Sequence, residues 1–342
     1  MTGEPTSTTA DRCVVLLGTP IDDVSLPEAL DRIAEMVQQG RATGRTHQVA
    51  TVNVDFVVNA AHDESLRAIL QGSDLSIPDG MGILWGARIV RVPLRERSSG
   101  VDLVPALAAR TARDGWRLCL FGAAPGVAED AASLLRDRFP GADVVGLEAP
   151  LIDADGGMDE AAAKQLRDLD ADVVCVALGN PKQERWIDRF RSVVGAPVFI
   201  GIGGSLNFLT GVTRRAPMWI QRAGLEWVHR AATEPRRLIG RYAKDLVVFG
   251  PGILAQAWRG RRRDGTAPLV AAGADRTTID VSSLSTLDNA TVASLIGRIR
   301  SARRHETHAV IVGATPLLMR SARRFGVADL LVRLSGPGAS RR

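Results

Sequence analysis

Apolar residues recur along this chain in short continuous runs, separated by longer stretches with helical periodicity. The runs at 13–17, 48–52, 75–77, 116–121, 144–146, 173–178 and 198–202 are brief and rich in Val, Ile, Leu and Cys, which predicts strands buried on both faces. Between them, 26–37, 65–71, 83–89 and the stretch from 127 to about 139 repeat apolar positions at helical spacing. Strands alternating with helices predict an α/β fold, with a Rossmann-like, largely parallel sheet and helices on both faces. Right-handed crossovers would bring the loops after several strands to one edge.

Beyond residue 201 the pattern changes. Short helices are predicted at 217–222 and 225–233, and Pro235 opens a longer one. On that helix Arg237, Arg241 and Lys244 share one face, while Leu238, Tyr242 and Leu246 share the opposite one. The last part of the chain, with strands at 278–281 and 309–312, reads as strand–helix–strand–helix. The expected organisation is therefore a flexible N-terminus at 1–11 and an α/β core at 12–210. A basic helical appendage at 211–258, a linker at 259–267 and a small α/β module at 268–335 complete it.

With 342 residues, 45% hydrophobic and 24% charged, the chain has an ordinary globular composition. Aromatics make up 4%, with one Tyr, too few for a base-stacking surface, so no nucleic-acid partner is expected. Cys13, Cys119 and Cys175 lie inside apolar runs without CxxC spacing, which predicts buried thiols in a reducing compartment. The first residues are polar and lack the layout of a signal peptide, and no apolar run approaches the roughly 20 residues that span a bilayer. These readings predict a cytoplasmic protein. The net charge of +5 is concentrated between Arg214 and Arg263, which points to a polyanionic partner. A basic helix followed by the apolar run 246–258 and the cluster 259–263 suits an anionic membrane surface better than a solvated face.

Three junctions share one design of strand, Gly/Pro/Asp-rich turn and helix: residues 78–82, 122–126 and 179–183. None is a GxGxxG fingerprint with a distal acid, and no GxxxxGK[ST] loop is present. Their convergence at one edge still favours a phosphorylated ligand, a nucleotide-sugar as well as a dinucleotide. After the third strand end, Asn180 is placed as an N-cap, Pro181 at the first helical position and Gln183 three residues past the cap. Free backbone N–H groups there favour an anion, with Lys182 and Gln183 beside it. Asp79 reads either as an ordinary Pro-Asp-Gly turn residue or as a general base taking a proton from an attacking hydroxyl. Asn53 reads as a strand-end cap or as a group that positions a sugar hydroxyl. Asp153-Ala154-Asp155 has the spacing of a metal-binding pair but the setting of a Gly-rich loop, and His305-Glu306-Thr307-His308 reads as solvated. No metal site and no cofactor are expected.

Five motifs occur in a fixed order: TVNVDF from Thr51, IPDGMG from Ile77, LFGAAPGVAE from Leu120, LGNPKQERWI from Leu178, and GIGGSLNFLTG from Gly201 with RAPMWIQRAGLEWVHRAATEPRR up to Arg237. Together they resemble the WecG/TagA/CpsF family (glycosyltransferase family 26) over about residues 45–245. The resemblance implies inverting transfer of an N-acetylated aminosugar, N-acetylmannosamine-like, from a UDP-sugar donor to a polyprenyl-diphosphate-linked acceptor, without a required metal. It makes Asp79 the base, with Asn53 and Thr51 positioning it and the sugar. Gly80 belongs to the same turn. Asn180, Lys182 and Gln183 would lie near the diphosphate, Gly122 and Gly126 would cradle the nucleotide, and Arg230, Arg237 and Arg241 would close over the site. It further implies work on the inner face of the plasma membrane in cell-surface polysaccharide or teichoic-acid-type synthesis. The C-terminal module resembles a STAS domain, with Ala290 where that family carries a phosphorylated Ser, and a protein partner for it stays open, as does a homo-oligomer. A nucleotide-binding oxidoreductase and a non-catalytic membrane-surface adaptor are the competing readings of the residues.

Overall fold

The structure is a computed structural model describing residues 12–158, 160–213, 215–222, 225–260, 269–272, 276–304 and 307–335, with backbone alone at 160–161, 221–222, 237, 269–272 and 276. The expected flexible segment 1–11 and most of the expected linker fall outside them, as do His305 and Glu306. The chain begins with an antiparallel hairpin, β1 (Cys13–Leu16) and β2 (Thr19–Asp22). Its two-residue turn, Leu17-Gly18, takes positive φ at both positions, the twist that two-residue hairpins require.

The main unit follows: α1 (Leu26–Thr43), β3 (His47–Val52), α2 (Val54–His62), α3 (Glu64–Gly72), β4 (Leu75–Pro78), α4 (Met81–Ile89) and α5 (Gly100–Asp114). It continues through β5 (Arg117–Gly122), α6 (Val127–Arg138), β6 (Asp143–Leu147), α7 (Glu160–Asp168), β7 (Val173–Ala177), α8 (Lys182–Val194), β8 (Val198–Gly201) and α9 (Ser205–Leu209). Six strands, β3 to β8, form one parallel sheet in the order β4-β3-β8-β7-β5-β6. The doubly wound α/β architecture is thus as the apolar runs predict. The return strand β2 and the helices α2, α5, α7 and α9 go beyond that expectation. Pro105 inside α5 interrupts the local helical signal there.

Alternate residues of each strand enter different cores. Leu118 and Leu120 of β5, with Val173 and Cys175 of β7, pack under α1, α5, α6 and α9. Cys119 and Phe121, with Val174 and Val176, pack under α7 and α8 around Trp186. All three cysteines are buried, and none of them forms a disulfide. Neighbouring strands β5 and β7 therefore send their following helices, α6 and α8, to opposite faces. Their carboxyl ends flank a topological switch point, where such sheets leave a crevice for ligands.

The appendage comprises α10 (Met218–Arg222), α11 (Glu226–Thr233) and α12 (Pro235–Arg259), and α12 packs against α2 and α4. Its orientation corrects the two-faced reading. Leu238 is buried and Tyr242 half-buried, yet Leu246 is 73% exposed. Each i+4 step falls about 40° past a full turn, so eight residues carry the apolar row from the core to the surface. The outer face of α12 is apolar, with Ile239, Leu246, Val247, Leu254 and Trp258 all exposed. No described helix is long and apolar enough to cross a membrane.

The final segment holds β9 (Leu269–Ala272), β10 (Arg276–Asp280), α13 (Asn289–Arg304), β11 (His308–Val312), α14 (Pro316–Arg324) and α15 (Ala328–Leu334), with β10 antiparallel to β9 and parallel to β11. The hairpin joins this module to the main unit. Cys13 and Val15 of β1 enter the module's core beside Ile279, Val292 and Ile296. Val14 and Leu16 enter the core beneath α2, α3 and α4. A buried polar joint reinforces the contact: the Arg300 guanidinium, 2% exposed, donates to the Ser73 carbonyl at 2.8 Å and lies 3.4 Å from the Asp22 carboxylate.

Candidate active site

Because the sheet is parallel, the turns after β3, β4, β5, β7 and β8 all open on its carboxyl edge. Asn53, Asp79, Gly122, Gly179 and Gly203 are brought to that one edge. Asp79 follows β4, and its N–H donates to the Val52 carbonyl at 2.8 Å, which fixes the start of the turn. Gly80 then takes a φ of 93° and opens α4. Three strand spacings separate β4 from β7, about 14 Å at the usual pitch, a span within reach of an extended sugar nucleotide.

Asp79 is half-buried among charges from distant parts of the chain. Removal of water raises its carboxyl to about 6, helped by the negative charges of Glu226 and Asp102 and opposed by Arg230 and Arg97. These groups hold each other in place. Arg97 donates to Glu226 at 3.0 Å, and Arg215 makes a bidentate pair with Asp102 at 2.8 and 3.0 Å and also approaches Glu226. Arg230, on α11, lies with its guanidinium 5.1 Å from the ring centre of Phe208 on α9. Arg230, expected to close over the site, is near enough for its charge to oppose the rise of the Asp79 carboxyl. Arg97, Arg215, Asp102 and Glu226 complete the cluster beyond the sequence-based expectation. Glu226 carried a usable signal, being an isolated acid in an arginine-rich segment. Arg97 carried none, since only tertiary packing turns its loop toward Asp79.

Several of the expected site residues also make hydrogen bonds within the protein. Thr51, buried between strands, donates its hydroxyl to the Gly201 carbonyl at 2.7 Å and so ties β3 to β8. Asn53 is the N-cap of α2, accepting the Phe56 N–H at 3.3 Å. Helix α8 starts at Lys182 with Pro181 as its cap residue, one position later than Asn180 as cap would place it. The Asn180 side chain instead donates to Glu184 at 3.0 Å and accepts from Asn59 at 2.7 Å. The Lys182 amine donates to the Ile152 carbonyl at 2.9 Å. Gln183 is fully buried, and its Oε1 accepts the N–H groups of Gly179 and Gly203 at 3.2 and 2.9 Å. Its carboxamide braces two loops of the crevice and does not project into it.

A chain of side-chain bonds continues outward from this brace. Gln183 donates to Glu184 at 2.7 Å, Glu184 accepts from Asn180, and Asn180 accepts from Asn59. Asn59 in turn accepts from Lys244 of α12 at 2.9 Å. Burial pushes the Glu184 carboxyl up to about 8 against these amide donors. Arg241 faces Asp55 and Asp245, whose carboxyls are both raised by loss of water, that of Asp245 to about 6. The side chain of Arg237 lies outside the described residues.

After β5, Gly122 takes a φ of 98°, and a Cβ there would fall 2.9 Å from Leu178. Glycine is required by both conformation and space. The Ala123 N–H donates to the Ala177 carbonyl at 3.0 Å, stitching the β5 loop to β7, and Gly126 (φ 78°) caps α6. Asp153 accepts the N–H groups of Asp155 and Gly157 at 2.9 and 2.6 Å, so this carboxylate closes its own turn.

A doubly wound sheet with a carboxylate of raised pKa and several arginines at its ligand edge suits group transfer from a nucleotide-linked donor. Comparison with known proteins gives the class as a glycosyltransferase. Residues 14–263 match the family described as glycosyl transferase WecG/TagA/CpsF, and the chain belongs to that family, making it a hexosyltransferase. It is 31% identical over 191 residues to an N-acetylglucosaminyldiphosphoundecaprenol N-acetyl-beta-D-mannosaminyltransferase of Bacillus subtilis (strain 168), covering 55% of this chain and 72% of that protein. A Staphylococcus aureus (strain NCTC 8325 / PS 47) protein of the same name is 27% identical over 249 residues, covering 73% of this chain and 94% of its own.

Proposed function

We propose that the protein transfers an N-acetylated aminosugar, N-acetylmannosamine-like, from UDP to a sugar hydroxyl on a polyprenyl-diphosphate carrier, inverting the anomeric centre. The observation that carries the reading is Asp79, a carboxylate with its pKa near 6 at the ligand edge of the sheet, ringed by Arg97, Arg215 and Arg230. In this reading the uridine diphosphate lies in the crevice between the Gly122 and Gly179 loops, at the switch point. The acceptor hydroxyl attacks the anomeric carbon from the face opposite the diphosphate. Asp79 takes its proton as the new C–O bond forms. The bond from the anomeric carbon to the diphosphate oxygen breaks, and its electron pair leaves with UDP. Arginines and backbone N–H groups stabilise the charge that develops there.

The names of the relatives support a polyprenyl-diphosphate-linked acceptor. The exposed apolar face of α12, with Trp219 of α10 and Trp227 of α11 exposed nearby in sequence, suits a protein that rests on the inner face of the plasma membrane where such a carrier is held. The order β10–α13–β11–α14 supports the STAS-like reading of the C-terminal module, and a protein partner for it is part of the proposal.

The decisive variant is Asp79→Asn, assayed with UDP-N-acetylmannosamine and a lipid-diphosphate-linked N-acetylglucosamine acceptor. The rate should fall by roughly 100- to 10,000-fold with the circular dichroism spectrum unchanged. Transfer at the wild-type rate would remove the mechanism.

A further inference from the structure

A pocket of about 140 Å³ lies where the end of α12 meets the C-terminal module, lined by Arg259, Leu287, Leu317, Arg320, Arg324 and Phe325 among others. No acidic side chain is among its lining residues, and among the described residues none of its three arginines has an ion-pair partner. The sequence explains the arrangement. Leu317, Arg320 and Arg324 recur at i, i+3 and i+7 and so share one face of α14. Arg259 closes α12 from the other side. Ser321 secures the wall by accepting the Leu287 N–H at 2.9 Å. The volume is several times the roughly 30 Å³ share of one water, enough for a phosphate group, and apolar side chains form part of its lining.

The position of the pocket decides which phosphate it fits. Trp258, 72% exposed, directly precedes Arg259 and ends the apolar outer face of α12, while the half-exposed Leu317 carries apolar surface to the rim of the pocket. Exposed apolar side chains thus adjoin the guanidinium groups along each helix: Trp258 directly precedes Arg259, and Leu317 shares a face of α14 with Arg320 and Arg324. This is the order of chemistry met on crossing from acyl chains to anionic headgroups. We propose that the pocket binds the phosphate of an anionic phospholipid headgroup, making the C-terminal module a second membrane contact beside α12. The proposal rests on the reading of α12 as a membrane-facing helix.

The test compares three full-length proteins for binding to vesicles of phosphatidylcholine with and without phosphatidylglycerol. These are the wild type, the pocket variant Arg320→Gln/Arg324→Gln, and the outer-face variant Leu246→Asn/Leu254→Asn. With about fivefold per cation near an anionic surface, the pocket variant should bind the anionic vesicles roughly 30-fold more weakly. Its thermal midpoint, and its transfer to a short soluble acceptor, should be unchanged. Wild-type affinity in the pocket variant overturns the proposal. If the outer-face variant then loses binding, the membrane reading of α12 survives and only the pocket assignment fails. Thermal shift with glycerol phosphate and with inorganic phosphate separates the sources. If inorganic phosphate stabilises the wild type but not the pocket variant while their vesicle affinities match, the site serves free phosphate and the headgroup assignment falls. Should the pocket variant fold poorly, Arg259→Gln on the facing wall replaces it, with an expected loss of about fivefold.

Discussion

Asp79 shows how far a single residue can be read. Its Pro-Asp-Gly setting is that of a common turn, and nothing local separates a turn carboxylate from a base. The charges that matter, Glu226, Arg230, Arg97 and Asp102, reach it from three other segments. A base must be ionised, so kcat/KM should fall as pH drops through the folded pKa, giving an acid limb near pH 6. Glu226→Gln removes the stronger of the two negative influences on Asp79 and releases Arg97 from its partner. Both effects favour the ionised base, and the limb should move to lower pH in a pH–rate profile. An unmoved limb would mean that Glu226 does not act on this carboxyl. Thr51, Asn53 and Gln183 carry the opposite lesson. Residue type and place in a motif marked them for the site, and nothing local showed that Thr51 also ties β3 to β8, Asn53 caps α2 and Gln183 braces two crevice loops.

At the scale of elements, apolar runs and helix starts were legible because burial on both faces of a parallel sheet leaves an uninterrupted hydrophobic signature. The α8 start is off by one residue, since a cap is settled by which side chain reaches the free N–H groups, and Asn180 bonds elsewhere. Loop-to-loop bracing is invisible to such patterns. Gln183→Leu would leave the partly buried N–H groups of Gly179 and Gly203 without this acceptor, at about 1 kcal/mol each. The urea midpoint should fall accordingly, and the KM for the nucleotide-sugar should rise as the Gly179 and Gly203 loops loosen. An unchanged midpoint would show that these bonds are dispensable. On α12 the sequence disclosed a helix and its charges but not its exposed face. A 25-residue helix has several plausible inner faces, and packing against α2 and α4 chose one.

For the molecule as a whole, the C-terminal module is joined to the catalytic unit through the N-terminal hairpin, so the two ends of the described chain share one core. Arg300 is the polar part of that joint. Removing one partner of a buried ion pair typically costs 3–5 kcal/mol, so Arg300→Ala should lower the unfolding midpoint. It should also make the hairpin and module open to limited proteolysis before the parallel sheet. Simultaneous loss of all segments at the wild-type midpoint would argue against the joint. What the sequence determined by itself was the alternation of buried strands and helices, the three glycine-bearing turns and the concentration of positive charge, because each is written in neighbouring residues. Tertiary structure alone decided the cluster around Asp79, the apolar outer face of α12 and the hairpin that joins both cores. Each depends on groups tens to hundreds of residues apart in the chain, which only the packing of strands and helices against one another brings together.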